Sequence, residues 1–194
     1  MRVGVLALQG GFAAHLSALR ELGHDAVAVR TAADLSTVGG LVLPGGESTT
    51  MWRQIERDGL GDALADFAGR PVLATCAGLI LVSRHVTDPV QPSLGWLDVD
   101  VRRNGYGRQL DSFEARSDDG DRPLVFIRAP RISRVGDGVE VLATHDGEPV
   151  LVRQGNLVAA TCHPELTTDR WVHALVFDEE RLLPSTGGQP RAML

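Results

Sequence analysis

The segment Ala74-Thr75-Cys76-Ala77-Gly78 stands where one apolar run, Pro71-Val72-Leu73-Ala74, meets another, Leu79-Ile80-Leu81-Val82. A sharp strand-to-helix turn at that junction would hold the Cys76 thiol at the tip of a sheet. The helix N-terminus would favour the thiolate, and the backbone N–H of Ala77 would face the reaction centre. Ala74, Ala77 and Gly78 are small enough to let substrate approach the backbone. A lone cysteine is more often a small buried hydrophobe, but Thr161-Cys162-His163-Pro164-Glu165 supplies further chemistry. Pro164 restricts His163 to extended geometry, so His163 and Glu165 can lie on one face, the carboxylate orienting the imidazole. Thiol, base and orienter are the parts of cysteine-based acyl transfer. Spacing alone does not bring Cys76 and His163 together.

The elements that must position these groups are legible from periodicity. Val3 to Leu8 reads as a strand buried on both faces and ended by Gln9-Gly10-Gly11. Phe12, Leu16 and Leu19 recur at helical spacing, with Gly23 as a C-terminal cap. Strands follow at 27–29 and 41–43, the second running into Pro44-Gly45-Gly46-Glu47-Ser48. Met51 to Phe67 is helical with a break at Asp58-Gly59, and the elbow strand occupies 71–75. This alternation predicts an α/β fold with a doubly wound, mostly parallel sheet, whose ligands gather at the carboxyl ends of the strands, where Gln9, Gly46 and Cys76 fall. In the second half, Leu97-Asp98-Val99-Asp100-Val101 alternates cleanly, and short strands are predicted at 110–115, 123–127, 139–144, 149–153 and 156–160. These predict an antiparallel extension packed on the parallel sheet. A last helix near Asp169 to Arg181 would place Val172, Leu175, Val176 and Leu182 inward. Residues 1–183 are expected to form one domain, with 184–194 a flexible tail.

Composition narrows the function classes. A chain of 194 residues, 43% hydrophobic, can bury a sizeable core. A net charge of −6 and a pI near 5.5 give no electrostatic footprint for nucleic acid. The longest apolar runs are too short to span a bilayer, and no signal peptide is recognised. A reducing cytoplasm and free thiols at Cys76 and Cys162 are therefore expected. His15, His24, His85, His145 and His173 read as surface or capping residues, and no cluster has metal-ligand spacing. No metal or cofactor is expected.

Several blocks then carry a family resemblance: Leu6-Ala7-Leu8-Gln9-Gly10, Pro44-Gly45-Gly46-Glu47-Ser48-Thr49-Thr50, Thr75-Cys76-Ala77-Gly78, the segment from Arg103 to Gln109, Ser112-Phe113-Glu114, Phe126-Ile127-Arg128-Ala129-Pro130 and His163-Pro164-Glu165-Leu166. In this order the chain resembles the glutaminase subunits of pyridoxal 5′-phosphate synthases, within the class I glutamine amidotransferase superfamily. Two positions depart from that pattern: Ala74, where the elbow usually has Gly, and Ala14, where Glu usually precedes the matching His15.

The resemblance implies a flavodoxin-like three-layer fold and a partner, the synthase subunit that makes pyridoxal 5′-phosphate from pentose and triose phosphates. It implies that Cys76 attacks the side-chain amide of L-glutamine, that His163 protonates the departing ammonia and that Glu165 holds His163 in the required tautomer. It also places Gly46, Glu47, Ser48, Arg103, Ile127 and Arg128 around the glutamine. The N–H groups of Gly46 and Ala77 would form the oxyanion hole, and Gln9 and Gly10 a partner-coupled switch. Plainer readings stand beside these. Gly45-Gly46 could be only a tight turn, Glu47 a carboxylate complementing a helix dipole, and Arg103 and Arg128 surface charges. Cys162 reads as a packed strand thiol beside the site. A related hydrolase acting on another amide, or a catalytically silent subunit, are the alternatives. The glutamine-loop residues argue against the first, and the joint presence of Cys76, His163 and Glu165 against the second.

Overall fold

Alternate residues of the central strands are buried on opposite faces, so apolar layers must cover the sheet on both sides. In a computed structural model of the chain, which describes residues 1–103, 105 and 112–178, this is the arrangement found. The first half runs β1 (Arg2–Leu6), α1 (Phe12–Glu21), β2 (Asp25–Val29), α2 (Ala32–Leu35), β3 (Gly40–Leu43), α3 (Ser48–Arg57), α4 (Gly61–Ala65), β4 (Val72–Thr75) and α5 (Ala77–Val82). Then come strands β5 (Ser83–Thr87), β6 (Leu97–Arg102), β7 (Phe113–Arg116), β8 (Pro123–Phe126), β9 (Arg131–Val135), β10 (Glu140–His145), β11 (Glu148–Gln154) and β12 (Leu157–Ala160). A 3₁₀ turn at Pro164–Leu166 and α6 (Trp171–Phe177) complete the described chain.

The main sheet has seven strands in the order β10-β11-β12-β4-β3-β1-β2, parallel from β12 to β2. Leu41, Leu43, Val72 and Ala74 face one apolar layer with Met51, Ile55, Leu64 and Leu79 from α3 to α5. Val3, Val5, Val42 and Leu73 face the other, with Leu16 and Leu19 of α1 and Phe177 of α6. Gly23 follows α1 at φ 86°, a left-handed position that suits glycine after a helix. The expected break near Asp58-Gly59 separates α3 from α4.

The second half departs from expectation in three ways. The antiparallel extension is hydrogen-bonded into the sheet instead of packed on it. The β11–β12 pair reverses the chain, so β12 emerges parallel to β4 and covers an edge that would otherwise carry unpaired backbone groups. Two strands have no counterpart in the sequence pattern, β5 and β9, which flank β6 in a separate small sheet. The inward face of α6 is His173, Ala174 and Phe177, while Val172, Leu175 and Val176 are only partly buried. Phe177 sets this rotation by packing over Gly40, where a Cβ would lie 2.7 Å from its ring. Positions 110–111 of the strand predicted at 110–115, the end of the predicted last helix beyond residue 178, including Leu182, and the predicted tail lie outside the described residues. None of the described helices is long and apolar enough to cross a membrane.

Candidate active site

The turn between β4 and α5 is the elbow predicted from residues 74–78. Cys76 adopts φ 48° and ψ −103°, a conformation L-residues rarely hold, and its N–H is fixed to Ala160 O at 2.8 Å. Close packing demands the glycine two residues on: a Cβ on Gly78 would stand 1.9 Å from Leu43 O.

The neighbouring strand β12 explains how distant residues meet. Thr75 pairs with Ala160 in the β4–β12 register, so the chain leaving β12 carries Cys162 and His163 past the same sheet end as Cys76. His163 is fixed there by its N–H to Val125 O at 2.8 Å. His163 itself is non-helical (φ −114°, ψ 79°), as a residue before proline should be. The residues after it do not continue the expected extended segment. Instead, the 3₁₀ turn brings Glu165 back to its own histidine, with His163 Nδ1 to Glu165 Oε1 at 2.7 Å.

Burial disfavours a charged His163 ring, but hydrogen bonding to Cys76 and Glu165 outweighs it and pushes the pKa up to about 10. Burial also raises the Glu165 carboxyl, yet the neighbouring His15 and His163 bring it below the usual carboxylate value. At neutral pH the pair is an imidazolium held by a carboxylate. Cys162 is buried beside them, and desolvation followed by the Glu165 charge pushes its thiol up to about 12. It is packed beside the site as expected, but in the bend after β12 and not within a strand, and it is protonated, hence a poor nucleophile.

These groups open onto a cleft of about 390 Å³, a size suited to a small molecule. Cys76, His163 and Glu165 line it together with Gly46, Glu47 and Ser48. Arg103, Ile127 and Arg128 face it from the second half of the chain. Arg128 is exposed, with φ 45°, and Ile127 O lies 3.9 Å from Cys76 Sγ. Glu47 caps α3: its carboxylate accepts the N–H groups of Thr49 and Thr50 at 3.2 and 2.7 Å. Arg103 donates to the same carboxylate at 3.0 Å. Burial opposes ionisation of Glu47, and the Thr50 and Thr49 donors prevail, holding its pKa low. Ser48 is tied at 2.8 Å to Gln91, a residue that no motif marks. Ala77 is buried as the first residue of α5.

Gln9 and Gly10 do not line the cleft; they back the loop that does. Gln9 Oε1 accepts Glu47 N–H at 2.8 Å, and Gly11 N–H reaches Gly45 O at 3.1 Å. A Cβ on Gly10, at φ 87°, would lie 2.0 Å from Gly45 O. Gly45 in turn leaves room for the His163 ring, whose Cε1 would be 2.4 Å from a Cβ at that position.

Two histidines expected at the surface or as caps are fully buried. His15 lies behind Glu165, with Nε2 3.3 Å from Glu165 Oε2 and 3.2 Å from Thr75 Oγ1, and its Nδ1 is 2.9 Å from His173 Nε2. A signal exists in the sequence. His15 shares helical spacing with Phe12 and Leu19, and so belongs to the apolar stripe of α1. His24 is also buried, beside the N-terminal amine. The only grouping of metal-ligand type among the described residues, Asp118, His145 and Asp146, is invisible to spacing. There the Asp118 carboxylate accepts the N–H groups of Asp146 and Gly147, closing a turn.

Comparison with known proteins identifies the family. Residues 5–180 match the SNO glutamine amidotransferase family. The pyridoxal 5′-phosphate synthase subunit PdxT of Solibacter usitatus is 50% identical over 185 residues, covering 90% of this chain and 96% of that protein. The protein of the same name from Mycobacteroides abscessus is 50% identical, covering 92% and 97%. A crystal structure of a glutamine amidotransferase superposes with a TM-score of 0.85 at 43% identity, over 92% of this chain and 98% of that one. The chain belongs to the SNO glutamine amidotransferase family.

Proposed function

We propose that this chain is the glutaminase subunit of a pyridoxal 5′-phosphate synthase, hydrolysing L-glutamine to L-glutamate and ammonia. The observation that carries the reading is that Cys76 and His163, the latter held by Glu165 at 2.7 Å, line one cleft with Gly46 and Arg103. Cys76 Sγ attacks the side-chain amide carbon. The C–N bond breaks as His163 passes a proton to the departing nitrogen, leaving a γ-glutamyl thioester. Water, losing a proton to His163, then attacks that thioester and releases glutamate and the thiol.

The N–H groups of Ala77 and Gly46 are assigned to the oxyanion, where one such donor is typically worth about 3–4 kcal/mol. Glu47, Ser48, Arg103, Ile127 and Arg128 are assigned to the glutamine. An Arg can pair with its carboxylate, and Glu47, already a cap, orients Arg103. Residues 1–183 form the glutaminase domain in this reading, and the protein acts in the cytoplasm, in keeping with its free thiols.

The chain forms a hetero-oligomer with a synthase subunit that combines the ammonia with pentose and triose phosphates. Ammonia released to neutral water is mostly protonated and non-nucleophilic, so hydrolysis is coupled to docking. The bonds joining Gln9 and Gly11 to Glu47 and Gly45 give docking a route to the oxyanion loop. Glutamate release with and without the synthase subunit tests the reading. Weak activity alone and clearly faster turnover in the complex are expected, with Gln9→Ala losing much of the stimulation. Full activity in the isolated chain, unchanged by a synthase shown to bind it, contradicts it.

A further inference from the structure

Glu165 is buried with its two oxygens treated unequally. Oε1 meets His163 Nδ1, whereas Oε2 makes no hydrogen bond of ordinary geometry and is approached by His15 Nε2 at 3.3 Å. A buried carboxylate oxygen without a donor is costly. We propose that His15 is a positioning residue that keeps Glu165 ionised and aimed at His163, and that His173 fixes the His15 tautomer that does so. The proposal rests on the glutaminase reading for its kinetic consequences only.

The tautomers are set by the partners. A carboxylate oxygen offers only lone pairs, so the proton of His15 must be on Nε2, between Glu165 Oε2 and Thr75 Oγ1. Burial outweighs the attraction of Glu165 and, with the repulsion of His163, keeps His15 neutral, its pKa lowered to about 4. Nδ1 is then a bare acceptor, and His173, 2.9 Å away, must donate from Nε2. His173 is neutral as well, lowered to about 3 first by burial, with His15, Arg170 and His24 adding to it against Glu165. Its Nδ1 is buried without a hydrogen-bond partner, and a bare lone pair there costs less than a buried N–H with no acceptor would. In this assignment both rings carry their proton on Nε2, that of His173 facing His15 and that of His15 facing Thr75 and Glu165. The groups facing His15 come from separate elements: Glu165 and His163 from the loop after β12, His173 from α6 and Thr75 from β4.

The N-terminus of α1 also lies close to the carboxylate, since a Cβ on Gly11 would stand 3.5 Å from Glu165 Oε1. The turn before the same helix holds Gly45 O, so one helix connects the oxyanion loop to the base.

Nitrogen-15 NMR of histidine-labelled wild-type protein tests the tautomers without any variant. Neutral, Nε2-protonated rings are expected for His15 and His173 from pH 5.5 to 8. Protonation of His15 on Nδ1 overturns the proposal. Kinetics of the synthase complex supply a second test. His15→Leu should lower kcat about tenfold or more, since it removes the polar N–H group that approaches a buried carboxylate oxygen, with KM little changed. Its acid limb should move to higher pH, because Glu165 without the donor holds its proton more tightly. His15→Gln, whose amide can donate from nearly the same place, should recover most of the rate and the wild-type limb. A folded His15→Leu protein with wild-type kcat and pH profile, or equal losses in both variants with the limb unmoved, contradicts the proposal. If wild-type protein releases no glutamate from glutamine even in the complex, the glutaminase reading fails while the NMR result still decides the tautomers.

Discussion

The Cα of Gly78 faces the backbone carbonyl of Leu43 so closely that a Cβ there would stand 1.9 Å from the oxygen. This contact presses the start of α5 against the end of β3. It sets the Gly45-Gly46 loop, which follows β3, beside the Cys76 elbow, and neither partner can yield without moving backbone. Gly78→Ala should therefore destabilise the protein by about 2–3 kcal/mol or more. Denaturant titration checks it, and a cost below about 0.5 kcal/mol would mean that the two elements are not in forced contact.

The division of labour proposed for His163 as base and Glu165 as orienter predicts an ordering of variants. His163→Asn should be nearly inactive because proton transfer is lost. Glu165→Gln should retain about ten- to hundredfold more activity, since it still occupies the site but no longer stabilises the charged ring. Steady-state rates in the reverse order would show that the roles are misassigned.

Buried neutral histidines couple stability to acid. The folded pKa of His173, about 3, lies below its ordinary 6.5, so the unfolded chain takes up the proton first. Its contribution is present above pH 6.5 and is lost as pH falls from there toward 3. His163 runs the opposite way: its contribution is present below pH 6.5 and is lost as pH rises through about 10. Between pH 6.5 and 4, His173→Gln should lose stability less steeply than wild type, by up to about 1.4 kcal/mol per pH unit. Parallel pH profiles for the two proteins would contradict the neutral state assigned to His173.

The first half of the fold is readable because each parallel strand is a short apolar run ended by glycine or proline. Strands β5 and β9 are hidden for physical reasons. Ser83–Thr87 follows α5 without a breaker, and Arg131–Val135 is masked by Arg131 and Arg134. Arg134 is stabilised by Asp98 and Asp100 on the neighbouring strand, a pairing no local pattern reveals. The trio proposed for catalysis is legible by residue type, since Pro164 and the small residues around Cys76 constrain local geometry. Its assembly is not, because it depends on β12 lying parallel to β4. His15 and His173 are illegible as a pair for the same reason: they meet at 2.9 Å from opposite ends of the chain.

The central claim, that Cys76 is the nucleophile for glutamine, is tested most directly by an electrophilic glutamine analogue and peptide mass spectrometry, with glutamate release measured in parallel. The label is expected on Cys76 and not on Cys162, whose thiol burial pushes up to about 12. Cys76→Ala should fold normally, take up no label and lose glutaminase activity by about 10⁴-fold or more. Label found mainly on Cys162, or wild-type turnover in Cys76→Ala, would contradict the account.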